Sequence, residues 1–382
     1  MDKMLFTSES VTCGHPDKVC DQVADRILDA LLAQDPDSHV ACEVTCAEEK
    51  MHIFGEISSE AEVDYRAIAR EVISEIGYTQ PGHGFDAQTC EITVDIHRQS
   101  PDIARGIARS RDAERLDAGA GDQGMMFGYA CNQTKSLMPL PIELAHTLTK
   151  RLEAMRRSGK LPFLLPDGKS QVTVEYDGNR PMRIASVLVS TQHRADVSIE
   201  EVRAEVCRHV INEVLPAAML DDDTQYYVNP TGRFVQGGPA ADSGLTGRKL
   251  IVDTYGGYAR HGGGSFSGKD ATKVDRSGAY MARYIAKNIV AQGLADQCEV
   301  QLSYAIGLAE PMSVRIETFG TENVKQSILA RAIRNSVDMR PAAIIQRFGL
   351  TNPIFSSVSC YGHFGSNAAK MPWEQTDLAI KL

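Results

Sequence analysis

Residues 255–277 read Tyr-Gly-Gly-Tyr-Ala-Arg-His-Gly-Gly-Gly-Ser-Phe-Ser-Gly-Lys-Asp-Ala-Thr-Lys-Val-Asp-Arg-Ser. Six of the 23 are glycine, and among them stand Arg260, His261, Lys269, Lys273 and Arg276, with Arg248 and Lys249 just upstream. Glycine lets backbone approach a ligand closely, and clustered amide groups make concavities that hold anions. A polyanion such as a triphosphate suits this stretch. The alternative is a solvated surface loop, where glycine and charge are also common. Gly263, Gly268 and Lys269 fit most of a P-loop, but Asp270 stands where Ser or Thr would hold magnesium. The apolar run Leu250–Val252 also lies too far upstream to be the strand that a P-loop requires. The stretch reads as a phosphate site of another kind.

It runs into a helical pattern over Arg276–Gln292, which opens a unit that the chain repeats. In that unit a hairpin pairs Glu299–Ile306 with Met312–Thr318, and a helix over about 322–337 closes it. The same order appears earlier: helix Pro141–Arg157, hairpin Val172–Tyr176 with Ile184–Ser190, helix Ile199–Leu215. It appears first as helix Pro16–Gln34, hairpin Val40–Cys46 with Met51–Ile57, and a helix marked by Val63, Ala67, Ile68, Val72 and Ile76, followed by an alternating strand Thr89–Ile96. In the first helix Val19, Val23, Ile27 and Leu31 share a face, with Asp21, Asp25 and Asp29 away from it. The pattern predicts an α+β chain of three similar domains, each a mixed sheet with helices packed on one face.

Composition bounds the partners. The 382 residues carry a formal net charge of −10, which argues against a nucleic-acid surface and, with cations gathered in one loop, for a small anionic ligand. No apolar run approaches a membrane span, and the first residues lack the apolar region of a signal peptide. Nine scattered cysteines with no C-x-x-C pair suit a reducing cytoplasm, and Cys42 and Cys46 read as core rather than zinc ligands.

Several short stretches add chemistry. His15 and Asp17 sit at the start of the first helix, where free amides and the dipole favour phosphate, and Asp17 can serve magnesium. Each has a plainer reading, as a capping residue and a first-turn carboxylate. Gly119-Ala-Gly-Asp-Gln-Gly124 and Gly237-Gly-Pro-Ala-Ala-Asp-Ser-Gly244 present Asp122 and Asp242 on glycine-rich turns. Phe234 is a base-stacking surface or core. Glu43 and Glu56 fall on the polar phase of the first hairpin. The polar stretch Gln99–Gly124 is a lid over the site or a linker. No motif of an activated nucleophile is present, which fits a reaction where the substrate supplies the nucleophile and the protein positions it and neutralises a departing polyphosphate.

Taken together these motifs resemble S-adenosylmethionine synthetase along nearly the whole chain. The resemblance is carried by Gly14-His-Pro-Asp-Lys18, Gly119–Gly124 with Met126-Phe-Gly-Tyr129, Asn229-Pro-Thr-Gly-Arg-Phe234 and Gly244-Leu-Thr-Gly-Arg-Lys249. It continues through Asp253–Gly257, His261–Gly264, Gly268–Asp270, Lys273–Ser277 and Tyr361-Gly-His-Phe-Gly365. It implies that the methionine sulfur attacks C5′ of ATP and that the expelled triphosphate is then cleaved. By position it implies His15 beside the leaving oxygen, and Lys169, Arg248, Lys249, Lys269 and Lys273 around the phosphates. Lys273 also reaches toward methionine. Asp167, Arg233, Phe234 and Ser265 would lie around ATP, and Glu56, Gln99, Asp122 and Asp242 at the methionine site or its border with ATP. Asp17 and Asp275 would serve two magnesium ions, and Glu43 one potassium ion. It further implies domains over 1–100, 119–232 and 233–382, able to exchange segments, with a mobile active-site loop over 101–118 and gating residues at about 99–115. Family members are homodimers or dimers of dimers with sites at the subunit interface. The chain departs from the family at Thr12-Cys13, where an acidic residue is usual, at Cys360, and over Arg109–Asp117. A phosphotransferase or ligase using the same phosphate loop would instead leave ADP or AMP, and a nucleotide-sensing subunit would show no turnover.

Overall fold

The computed structural model describes residues 4–80, 84–98 and 119–382. Its strands and helices, in chain order, are β1 (Met4–Val11), α1 (Pro16–Leu32), β2 (His39–Ala47), β3 (Lys50–Ser58), α2 (Tyr65–Ile76), β4 (Glu91–His97), β5 (Gly124–Cys131), α3 (Leu140–Arg157), β6 (Leu164–Asp177), β7 (Arg180–His193) and α4 (Ile199–Val206). A π-helical turn at Cys207–Ile211 carries α4 on to α5 (Asn212–Val214). Then follow β8 (Gln225–Val228), β9 (Gly244–Leu245), α6 (Leu250–Asp253), α7 (Val274–Ala291), β10 (Gln297–Tyr304), β11 (Ser313–Glu317), α8 (Gln326–Ser336) and α9 (Pro341–Phe348).

The helix–hairpin–helix order recurs three times, as α1-β2-β3-α2, α3-β6-β7-α4 and α7-β10-β11-α8. Three sheets result, with strand orders β4-β3-β2-β9, β8-β7-β6-β1 and β11-β10-β5. In each, the first strand of the hairpin accepts an antiparallel strand from a distant part of the chain: β9 beside β2, β1 beside β6, β5 beside β10. In the first two, the helix after the hairpin crosses over to a strand parallel to the hairpin's second strand, β4 on β3 and β8 on β7. The lent strands β1, β5 and β9 were not read from the sequence. β9 is only two residues long, and β5 is buried at all but its first two positions, so it lacks an alternating signature.

Local chemistry explains the element ends. Pro16 opens α1, and His15 caps it by accepting the Asp17 amide on Nδ1 at 3.2 Å. Asp64 caps α2 at the Ala67 amide, 3.0 Å away, and Gly77 closes it at φ 112°. Ser198 caps α4 through the Glu201 amide at 3.1 Å. The apolar run at 250 is the one-turn helix α6 rather than a strand.

Two apolar cores follow. One joins α1, the inner faces of β2 and β3, α7, β10 and the segment from Phe355 to Trp373. The other lies between α3, β6, β7 and α4. Cys42 and Cys46 are buried in the first core, as expected.

Asp21, Asp25 and Asp29 lie off the apolar face of α1, yet all three are buried. With Asp17 they form a row at every fourth residue, one turn apart. Each accepts main-chain amides from residues between 245 and 356. Asp17 takes Leu245 at 3.0 Å, Asp21 takes Gly247 at 2.9 Å, Asp25 takes Gly268 at 2.9 Å, and Asp29 takes Phe355 and Ser356 at 3.0 and 2.8 Å. Buried carboxylates are tolerated only when so paired. The fully buried Lys18 extends the row, reaching Asp21 at 2.9 Å, the carbonyl of Ser359 at 3.0 Å, and Asp253. This row fixes the glycine-rich stretch against α1.

Candidate active site

One group of candidate residues gathers at the N-terminus of α1. Asp17 accepts Leu245 N–H on Oδ1, holds Lys249 Nζ at 2.5 Å on Oδ2, and has Arg248 Nε 3.6 Å away. Burial by itself would raise this carboxyl, but the bonds from Lys249 and the Leu245 amide outweigh it and hold the group below the usual carboxylate range. His15 beside it is buried. Burial, reinforced by the charges of Lys249 and Lys169, pulls its imidazole down to about 3. The ring is therefore neutral at ordinary pH. Its Nδ1 accepts the Asp17 amide, so the proton sits on Nε2, which is a donor.

The second group surrounds the nucleoside candidates. Asp167 is buried, accepts Gly238 N–H on Oδ2 at 2.8 Å, and has no partner for Oδ1 among the described residues. Burial pushes it up to about 6, opposed by the Gly238 bond and the nearby Lys169. Gly238 has φ +64°, and a Cβ there would stand 2.1 Å from Tyr78 Oη, which itself donates to Gly14 O at 2.5 Å. These contacts lock the 237–242 turn to the loop that carries His15. Phe234 is half-buried. It is fixed to the end of β7 by its amide on His193 Nε2 at 3.2 Å and by His193 N–H on its carbonyl at 2.9 Å. Arg233 and Asp242 are exposed around it, and Lys169 is exposed on β6.

The third group lies on the glycine-rich stretch. Lys269 Nζ meets Asp275 Oδ2 at 2.7 Å. Gly264 leaves room for that carboxylate, since a Cβ would fall 2.1 Å from Asp275 Oδ1. Lys273 pairs with the buried Asp270, which also takes the Val40 amide at 2.6 Å. Glu43 projects from β2 near Lys269. Burial raises it to about 7 against the pull of that lysine. The 119–124 turn docks beside this group, with Gly121 N–H on Thr272 O at 3.2 Å and Asp122 exposed. Ser265 packs where a Cβ on Gly247 would sit, 2.4 Å from its own Cβ.

Some expectations need correction. Arg276 is not a phosphate cation. It is fully buried and forks onto both oxygens of Asp25 at 2.7 and 2.8 Å. Arg260 is engaged at Glu299, 2.5 Å away. Glu56, exposed and 3.4 Å from His97, stands opposite Ala41 of β2, which bridges Lys269 on its other side. Gln99, the gating residues and the 101–118 loop lie outside the described residues. Sequence reasoning missed Asp25, Asp270, Lys18 and Tyr78. The four-residue spacing of aspartates on α1 was the available signal for Asp25.

Three family models match the chain consecutively: the N-terminal domain of S-adenosylmethionine synthetase over residues 3–101, its central domain over 117–234 and its C-terminal domain over 236–375. The chain belongs to the S-adenosylmethionine synthetase family. It is a methionine adenosyltransferase of α+β class that makes S-adenosylmethionine from ATP and methionine. Synthetases of this family require metal ions, and the donor set here can be tested against that need. Among the described residues no group of three or more His, Cys, Asp or Glu side chains forms a cage. Asp17 and Asp275 are instead single carboxylates, each beside a lysine. Magnesium, which keeps waters and takes one or two carboxylates together with substrate phosphates, fits such positions. Glu43 is a further single carboxylate, half-buried and near Lys269. Among the described residues no helix is long and apolar enough to cross a membrane.

Proposed function

We propose that the synthetase works by direct displacement. The methionine sulfur forms a bond to C5′ of ATP as the C5′–O bond breaks, and the bonding pair leaves with the triphosphate. Water then cleaves the triphosphate to pyrophosphate and phosphate. A thioether has no proton to lose, so the barrier lies in releasing a polyanion from carbon. The protein answers it with fixed cations and donors. His15, neutral and with its proton on Nε2, donates a hydrogen bond to the leaving oxygen. Lys169, Arg248, Lys249, Lys269 and Lys273 share the phosphate charge. Asp167, Arg233, Phe234 and Ser265 receive the nucleoside, with Asp122 and Asp242 at its border with methionine. Glu56 and Gln99 complete the methionine site. Asp17 and Asp275 would hold two magnesium ions, which when bound neutralise the phosphates, and Glu43 a potassium ion.

The observation that carries this reading is the convergence of His15, Asp17, Arg248 and Lys249 on the N-terminus of α1, where free amides already favour phosphate. Within one chain this group does not meet Lys269 and Asp275. No hydrogen bond or ion pair joins them among the described residues, and two turns of α1, about 12 Å, separate the Asp17 and Asp25 levels. That separation supports a homodimer or dimer of dimers in which a second copy completes each site. Incubation with ATP, methionine, magnesium and potassium should yield S-adenosylmethionine, pyrophosphate and phosphate in equal amounts. ADP or AMP without the sulfonium product would overturn the mechanism.

A further inference from the structure

We propose that Asp25, on α1, is a positioning residue that sets Lys269 and Asp275 through Arg276. The proposal rests on the reading above that Lys269 and Asp275 act at the phosphates. It starts from a guanidinium with no access to water. Arg276 Nη1 and Nη2 reach Asp25 Oδ1 and Oδ2 at 2.7 and 2.8 Å, a two-pronged pair of the kind only arginine makes. Nη1 also donates to the carbonyls of Phe266 and Lys269 at 3.0 and 3.1 Å, and Nε to Tyr280 Oη at 3.0 Å. The ring of Phe355 covers the group, 4.1 Å from its central carbon.

Asp25 has a second grip on the same segment, for its Oδ1 accepts the Gly268 amide at 2.9 Å. The far side of the segment is tied to β2, by Cys42 N–H on Gly268 O at 2.9 Å and Asp270 N–H on Val40 O at 3.0 Å. Gly268 is the one residue type that fits between them, since a Cβ at its φ of +79° would lie 1.9 Å from Cys42 O. Residues 266–269 are thus held by one carboxylate, one guanidinium and one strand. Lys269 springs from the end of this clamp, and its partner Asp275 directly precedes Arg276. Neither Asp25 nor Arg276 can touch a substrate. What they fix is the starting point of the two side chains that do, and a shift of about 1 Å at such a site can cost on the order of 100-fold in rate. A buried pair of this kind adds little net stability over an apolar pair, so specifying geometry is the reason to keep it.

The test is a double-mutant cycle in the full-length enzyme, with kcat and KM for both substrates and a thermal melt for each variant. Asp25→Asn keeps volume and an acceptor for Gly268 but removes the charge. It should lose about 30- to 100-fold in kcat. In a Lys269→Met background the same change should cost several-fold less than in the wild type, because one of the two groups it positions is gone. Arg276→Lys, which keeps the charge and loses the carbonyl bonds, should behave like Asp25→Asn and serves if that variant does not fold. Losses that multiply in the double variants, or a folded Asp25→Asn enzyme with wild-type kcat, overturn the positioning role while leaving the displacement mechanism standing. A wild-type enzyme whose rate is unchanged by Lys269→Met overturns the assignment of Lys269, and the positioning role with it.

Discussion

Gly238 donates its amide to one oxygen of Asp167 at 2.8 Å, while the other oxygen of that carboxylate is buried with no partner among the described residues. Evolution rarely leaves a buried acceptor idle, because the unmade bond costs about 1–3 kcal/mol. In the nucleotide site proposed above, that oxygen would accept a donor from ATP.

Asp167→Asn should therefore trade affinity for stability. Burial has lifted the carboxyl to about 6, above its ordinary 3.8. Its ionised form thus destabilises the fold, and the penalty grows as pH rises from about 4 to about 6. The amide escapes it, so the variant should be more stable at pH 8, by on the order of 2–3 kcal/mol, with the difference vanishing near pH 4. Its KM for ATP should rise about tenfold. Denaturant titrations at the two pH values and steady-state kinetics would decide, and an unchanged KM removes Asp167 from the nucleotide site.

Gly264→Ala should disable the enzyme without unfolding it. The new methyl would meet Asp275 Oδ1 at 2.1 Å, so the carboxylate must turn away from Lys269. A loss of roughly 100-fold in kcat is expected with a melting temperature close to wild type. A shift of more than a few degrees would show that the loop itself had collapsed.

Asp275→Asn should keep the fold and lose most turnover, because it removes a carboxylate without changing volume. Raising magnesium should restore little. Full activity at saturating magnesium would exclude Asp275 as a ligand.

Acid should weaken the fold through buried histidines. His146 is held by Ser10 Oγ at 2.8 Å and pulled down to about 3, first by burial and then by Lys150 and Lys18. His363 is lowered by burial in the same sense. A lowered folded value means that the unfolded chain binds the proton first. Stability is therefore full above about 6.5 and falls as pH drops below it, by about 1.4 kcal/mol per pH unit for each group. His146→Asn should flatten that slope in chemical denaturation between pH 6.5 and 5, and an unaltered slope would show that His146 does not contribute.

The sequence reading recovered the elements that repeat. α1, α3 and α7 carry apolar residues at helical spacing, and the hairpins alternate, so local pattern was enough. It also singled out His15, Asp17 and Lys269, because glycine-rich and N-terminal contexts advertise anion binding; the structure sets His15 and Asp17 beside Lys249, and Lys269 beside Asp275. It misread Arg276, since charge beside glycine looks alike whether it faces phosphate or a carboxylate 251 residues away. It overlooked β5 and β9 for the same reason. Their partners are remote, and a strand buried on both faces or two residues long has no periodicity to display.

The lent strands carry a consequence for how this polypeptide is made. The N-terminal sheet gains its edge at β2 only when Thr45 and Cys46 pair with Leu245 and Gly244. β1 has no partner until β6 has emerged, and β5 waits for β10. On the ribosome, then, the first sheet cannot be finished until β9 is synthesised, and β1 and β5 stay unpaired until β6 and β10 emerge. Nascent edges stay open over long stretches of translation, and chaperones that shield such edges have their longest opportunity on this chain at its earliest strands.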